Sequence, residues 1–182
     1  MKKIVLTFGL IAGAILSVMM FVTIPFQDDI GFDRGAVIGY TTMVAAFLLI
    51  YFGTRSYRDN VAGGTVSFGR ALAVGASIAL VASVCYVASW EVIYYTMEPD
   101  FMAKYEAHAI AKARQGGASE ASIAKQHAEM VKLAELYRNP AINAAMTLVE
   151  PLPIGLVIAV ISAGLLSRRR AGTTSAELQP LT

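Results

Sequence analysis

A single cysteine in 182 residues, Cys85, excludes an intrachain disulfide and a thiolate metal cluster. Lying in an apolar run, it reads as a small buried hydrophobe. Charge is scarce as well: Asp, Glu, Lys and Arg make up 15% of the chain, against about 25% in soluble domains. The formal net charge is only +2, and no basic–aromatic pattern accompanies it, which argues against nucleic-acid binding. No GxxxxGK(S/T) loop is present, and Gly63-Gly64 alone cannot cradle a phosphate. Nothing composes a catalytic constellation, so neither an enzyme nor a cofactor is expected.

What remains is apolar, 56% of the chain, and it falls into long runs. The composition points to an all-α membrane protein of one domain, residues 1–170, with a polar cytoplasmic tail at 171–182 expected to be disordered. Spans are expected at about 4–26, 35–54, 71–97 and 141–166. The first follows Lys2 and Lys3, but it is longer than a secretory core and lacks a small-x-small cleavage site, so it reads as retained. Small residues recur every fourth position in span one (Gly9, Gly13, Ser17) and span three (Ala71, Gly75, Ala79, Ser83). Such ridges let helices approach closely, within one bundle or in a homo-oligomer. Trp90, Tyr94 and Tyr95 read as an interfacial aromatic belt.

The loop at 27–34 is short and polar, as is the connector 55–70, with Ser67 a candidate cap for span three. Residues 98–140 break the membrane pattern with six acids and six Lys/Arg. Two Ala-rich pieces flank Gly116-Gly117, with Ser119 a candidate N-cap and Pro140 closing the second. This predicts a helical hairpin between spans three and four, and a place where an extracytoplasmic protein partner could dock. His108 and His127 lie equally far from its turn, beside Glu106 and Glu129. A metal site is conceivable there, but neither helix has paired i, i+4 ligands, so solvated histidines and no metal are expected.

Orientation follows from charge. The termini and the 55–70 connector hold eight Lys/Arg against Asp59 and Glu177, whereas the short 27–34 loop holds Arg34 against three aspartates. The positive-inside rule puts both termini in the cytoplasm and the hairpin outside.

Ionisable groups inside spans need a reason. Glu91 and Glu150 both fall in the outer half of their spans, with Tyr40 at comparable depth. Asn143, Thr147 and Glu150 follow i, i+4, i+7 and form one polar stripe that should face the bundle or a wet crevice. Pro151 and Pro153 lack an N–H, which predicts a kink just below Glu150. Interhelical hydrogen-bond glue, a proton- or cation-linked carrier, and an acid pair for hydrolysis are the competing readings of the two carboxyls. Glue is favoured, which makes the protein a structural or interaction protein; the small transporter or channel is the alternative. On the inner side, Arg55 and Arg58 suit a helix C-terminus and anionic lipid headgroups, and Asp59 and Asn60 could turn the chain after Tyr57.

FGTRSYRDN at 52–60, VSFGRAL at 66–72, Trp90, PDF at 99–101, Asn139-Pro140 and Glu150-x-x-Pro153-x-Gly155 together resemble a bacterial family. It is a family of four-span membrane proteins catalogued as domain of unknown function 4199. The likeness extends over about 4–170. It implies a multi-pass protein of the bacterial cytoplasmic (inner) membrane with no established activity, catalytic residues or ligand.

Overall fold

Small residues at spacing four decide how these helices meet. A Cβ on Gly9 would lie 2.7 Å from Val81 Cβ, and one on Gly13 would lie 2.6 Å from Cys85 Cβ. The first helix therefore sits against the third span at a distance only glycine permits. One turn on, Ser89 donates to Ser17 Oγ at 2.7 Å. A Cβ on Gly155 would come within 2.7 Å of Ala79 Cβ, and one on Gly75 within 3.0 Å of Ala159 Cβ. Both ridges thus meet partners in their own chain.

The computed structural model describes residues 1–167; Arg168–Arg170 and the tail at 171–182 lie outside the described residues. The chain is all-helical among these. It runs α1 (Lys2–Thr23), a 3-10 turn (Ile24–Phe26), α2 (Gln27–Ile30), α3 (Phe32–Asn60), α4 (Phe68–Thr96), α5 (Phe101–Gln115), α6 (Glu120–Tyr137), α7 (Pro140–Leu148) and α8 (Pro151–Leu166). Four segments, Lys2–Ile30, Phe32–Asn60, Phe68–Thr96 and Pro140–Leu166, are long and apolar enough to cross a membrane. Helix α4 is central, packed against α1, α3, α7 and α8. Leu16, Phe47, Ile50, Val74, Ile78 and Ile93 are fully buried around it. Leu10, Val18, Leu48, Val84, Val157 and Ile161 cover the outside. Such a girdle is a liability in water and the ordinary surface of a bundle in lipid.

Several boundaries differ from the sequence-based expectation. The 27–34 stretch is not a loop: α2 and the start of α3 occupy it, with Gly31 at φ +82° as the break between them. Its aspartates lie in helix first turns, where negative charge is favoured. Helix α3 continues through RSYRDN to Asn60, so that run is helical rather than connecting. Pro140 opens α7 instead of merely closing α6, and Asn139 Oδ1 caps it by accepting from the N–H groups of Ala141 (3.0 Å) and Ile142 (3.4 Å). Ser67 stands at the N-cap of α4 without a side-chain cap bond, whereas Ser119 Oγ accepts from Ser122 N at 3.3 Å.

The hairpin α5–α6 turns at Gly117, φ +77°. Helix α5 is fastened to the segment after α1. Lys104 Nζ donates to Asp28 (2.9 Å) and Glu98 (3.0 Å), Lys112 Nζ donates to Asp33 (2.7 Å), and the Phe32 ring packs on Phe101, Tyr105 and His108. Its Asp28 partner first, then Glu98, hold the Lys104 ammonium above the ordinary lysine range.

Candidate functional site

Pro151 and Pro153 divide the last span into α7 and α8. With no N–H at Pro151, the Thr147 carbonyl would be orphaned. It instead accepts from Glu150 N at 3.2 Å, as Met146 O does from Val149 N at 3.2 Å. These i→i−3 bonds tighten the last turn of α7 and carry the chain round Glu150 into α8. The expected break is there, and it takes the form of two helices.

At the break Glu150 Oε2 accepts a 2.7 Å hydrogen bond from the Tyr86 hydroxyl of α4. Tyr86 is buried, while Glu150 itself is exposed at the bundle's side. Tyr40 of α3 is exposed, and no hydrogen bond joins it to Glu150 among the described residues. Above the break the stripe turns inward. Asn143 is fully buried; its Oδ1 accepts from Trp90 Nε1 at 2.8 Å and from Thr147 Oγ1 at 3.1 Å. Its amide reaches Tyr137 O at 3.4 Å. Asn143 and Thr147 therefore face the bundle, whereas Glu150 lies at its edge. Tyr137, at the end of α6, has its phenol pushed up by burial first and then by the charge of Glu150.

Glu91 stands apart. It is five residues beyond Tyr86, about 140° round the helix, and no hydrogen bond joins it to Glu150 among the described residues. One of its oxygens is buried without a partner. The two carboxyls do not meet, and an acid pair is not formed. The hydroxyls of Ser83 and Thr54 are also buried, without partners among the described residues.

Trp90 is not the interfacial ring that its place near the end of the run suggested: it is 8% exposed and bound to Asn143. Tyr95 is 42% exposed, and its hydroxyl donates to Tyr137 O at 3.1 Å. Tyr86, which supplies the bond to Glu150, carries no sequence-based expectation, and Trp90, expected in the belt, supplies the bond to Asn143 instead. A signal was available, since Tyr86, Trp90 and Tyr94 recur at spacing four on one face of α4.

At the end of α3, Asp59 receives Arg58 Nε at 2.7 Å and Arg55 Nε at 3.6 Å. Asn60 Nδ2 donates to Ser56 Oγ at 3.2 Å, and Tyr57 is buried. The motif closes on itself as a helix end. The two histidines part company: His127 pairs with Glu106, His108 lies 3.6 Å from Asp33, and Glu129 pairs with Lys125. No group of metal-ligating side chains occurs among the described residues.

A family model described as protein of unknown function (DUF4199) matches residues 7–168. No curated protein and no solved structure matches the chain.

Proposed function

This chain belongs to the DUF4199 family of proteins of unknown function, and from that premise we propose a non-enzymatic structural or interaction protein of the bacterial cytoplasmic membrane. Both termini face the cytoplasm, and the α5–α6 hairpin lies outside as the surface offered to an extracytoplasmic protein partner. The observation that carries this reading is the use made of the in-span polar groups. Glu150 binds Tyr86, Asn143 binds Trp90 and Thr147, and Ser17 binds Ser89. Each bond ties one helix to another or stiffens α7, which is what glue requires. The charge asymmetry between the short loops supports the orientation.

A carrier linked to protons or cations is the second reading. What favours it is Glu150, an exposed carboxyl in mid-span hydrogen-bonded to a buried phenol. The separation of Glu91 from Glu150 speaks for glue, because a relay through both would have to cross the body of α4.

Two experiments test the proposal. With a photo-crosslinking residue at Val131 or Leu136, both exposed on α6, intact cells should yield one discrete protein adduct; lipid adducts alone would count against a hairpin partner. A single cysteine in the hairpin of a Cys85→Ala background should react with an impermeant maleimide in spheroplasts. Reaction only after permeabilisation would reverse the orientation.

A further inference from the structure

At the end of α4 opposite the end of α3, the hairpin does not close completely onto the bundle. A cavity of about 360 Å³ remains between the last turn of α4, the start of α5 and the end of α6. Tyr94 and Met102, both buried, give it apolar walls, and Tyr95 stands at its side with its hydroxyl already held by Tyr137 O. Two opposite charges line the same space, Asp100 and Arg138. They do not pair with each other, and Asp100 forms no ion pair among the described residues. Among the described residues the Arg138 guanidinium pairs only with Glu135, at 3.8 Å on the exposed side of α6, a contact of little consequence in water.

The surroundings sort the charges of a ligand. The carbonyls ending α4 present the negative end of the helix dipole, and Pro99 has no N–H to offer them. One turn below Tyr95 lies Glu91, with its buried, unpartnered oxygen. A cation is therefore favoured toward α4 and Asp100, and an anion toward Arg138, whose planar fork suits a phosphate.

We propose that this cavity binds an ammonium–phosphate zwitterion, and that its source is the headgroup of an ethanolamine-type phospholipid. The position beyond the end of a membrane span, beside a half-exposed tyrosine, is where headgroups lie. The inference is independent of the partner proposed for the hairpin.

The test uses full-length protein, stripped of lipid in detergent, titrated with dihexanoyl phosphatidylethanolamine, dihexanoyl phosphatidylglycerol and phosphoethanolamine. The ethanolamine lipid should bind about tenfold more tightly than the glycerol lipid, a difference of about 1.4 kcal/mol. Asp100→Asn and Arg138→Gln should each weaken it about tenfold, while Lys132→Gln, outside the cavity lining, leaves it unchanged. Asp100 and Arg138 are exposed, and a thermal melt without lipid confirms that each variant is folded. Phosphoethanolamine binding as tightly as the lipid would support the zwitterion site and overturn the lipid as its source. Equal affinity for the two lipids, or unchanged affinity in both cavity variants, would overturn the proposal.

Discussion

Replacing Asn143 with alanine should be among the most damaging single changes in the membrane part of the protein. Asn143 Oδ1 is the common acceptor for Trp90 Nε1 and Thr147 Oγ1, and the residue is fully buried. Thr147 can recover by turning to a carbonyl of its own helix. Trp90 cannot, because an indole only donates. A hydrogen bond within the bilayer contributes about 0.6 kcal/mol on average and up to about 1.7. Leaving the indole N–H bare costs a further ~1–3 kcal/mol, so the loss should total about 2–5 kcal/mol. The assay is SDS-induced unfolding in mixed micelles followed by circular dichroism, run as a double-mutant cycle with Trp90→Phe. The cycle should return a coupling of about 1 kcal/mol. A coupling below about 0.3 kcal/mol, within the additivity expected of independent sites, would refute the claim that this bond joins α4 to α7.

Helix contact makes a paired prediction: Gly13→Leu should destabilise by about 1–3 kcal/mol through overpacking, because its Cβ meets Cys85 at 2.6 Å. Gly39→Ala, with nothing within 4 Å of the added Cβ, should be neutral or stabilise by up to about 1 kcal/mol; the same unfolding assay ranks them. The Lys104 bridge should depend on pH in one direction. Its folded value lies above the ordinary 10.5, so its contribution is complete below that value and is lost as pH rises through the folded value. Fluorescence of the single tryptophan, Trp90, whose ring packs on Phe101 of α5, should therefore stay constant through neutral pH, change only in strong alkali, and lose part of that alkaline step in Lys104→Gln.

Periodicity and charge made the four spans and the hairpin legible, and the glycine ridges could be read because spacing four survives any rotation of a helix about its axis. The ends were harder. Asp28, Asp29 and Asp33 look like loop residues by polarity, yet they suit the first turns of α2 and α3. Arg55 and Asp59 look like a connector but are an i, i+4 pair on a continuing helix. The partner of Glu150 lay beyond reach for another reason. Which face of α4 meets the break in the last span depends on the relative rotation of two helices, and that is set by packing at Gly75 and Gly155. Depth alone brought Glu91 and Glu150 to one level; rotation put them on different faces.

In the proposed structural role Glu150 is a hydrogen-bond anchor for Tyr86. Glu150→Gln keeps an acceptor for Tyr86 but cannot ionise. In liposomes loaded with a pH-sensitive dye, wild type and Glu150→Gln should both leave proton leak at the level of protein-free vesicles under an imposed gradient. Proton flux in the wild type that disappears in Glu150→Gln would contradict the account and make the carboxyl a carrier.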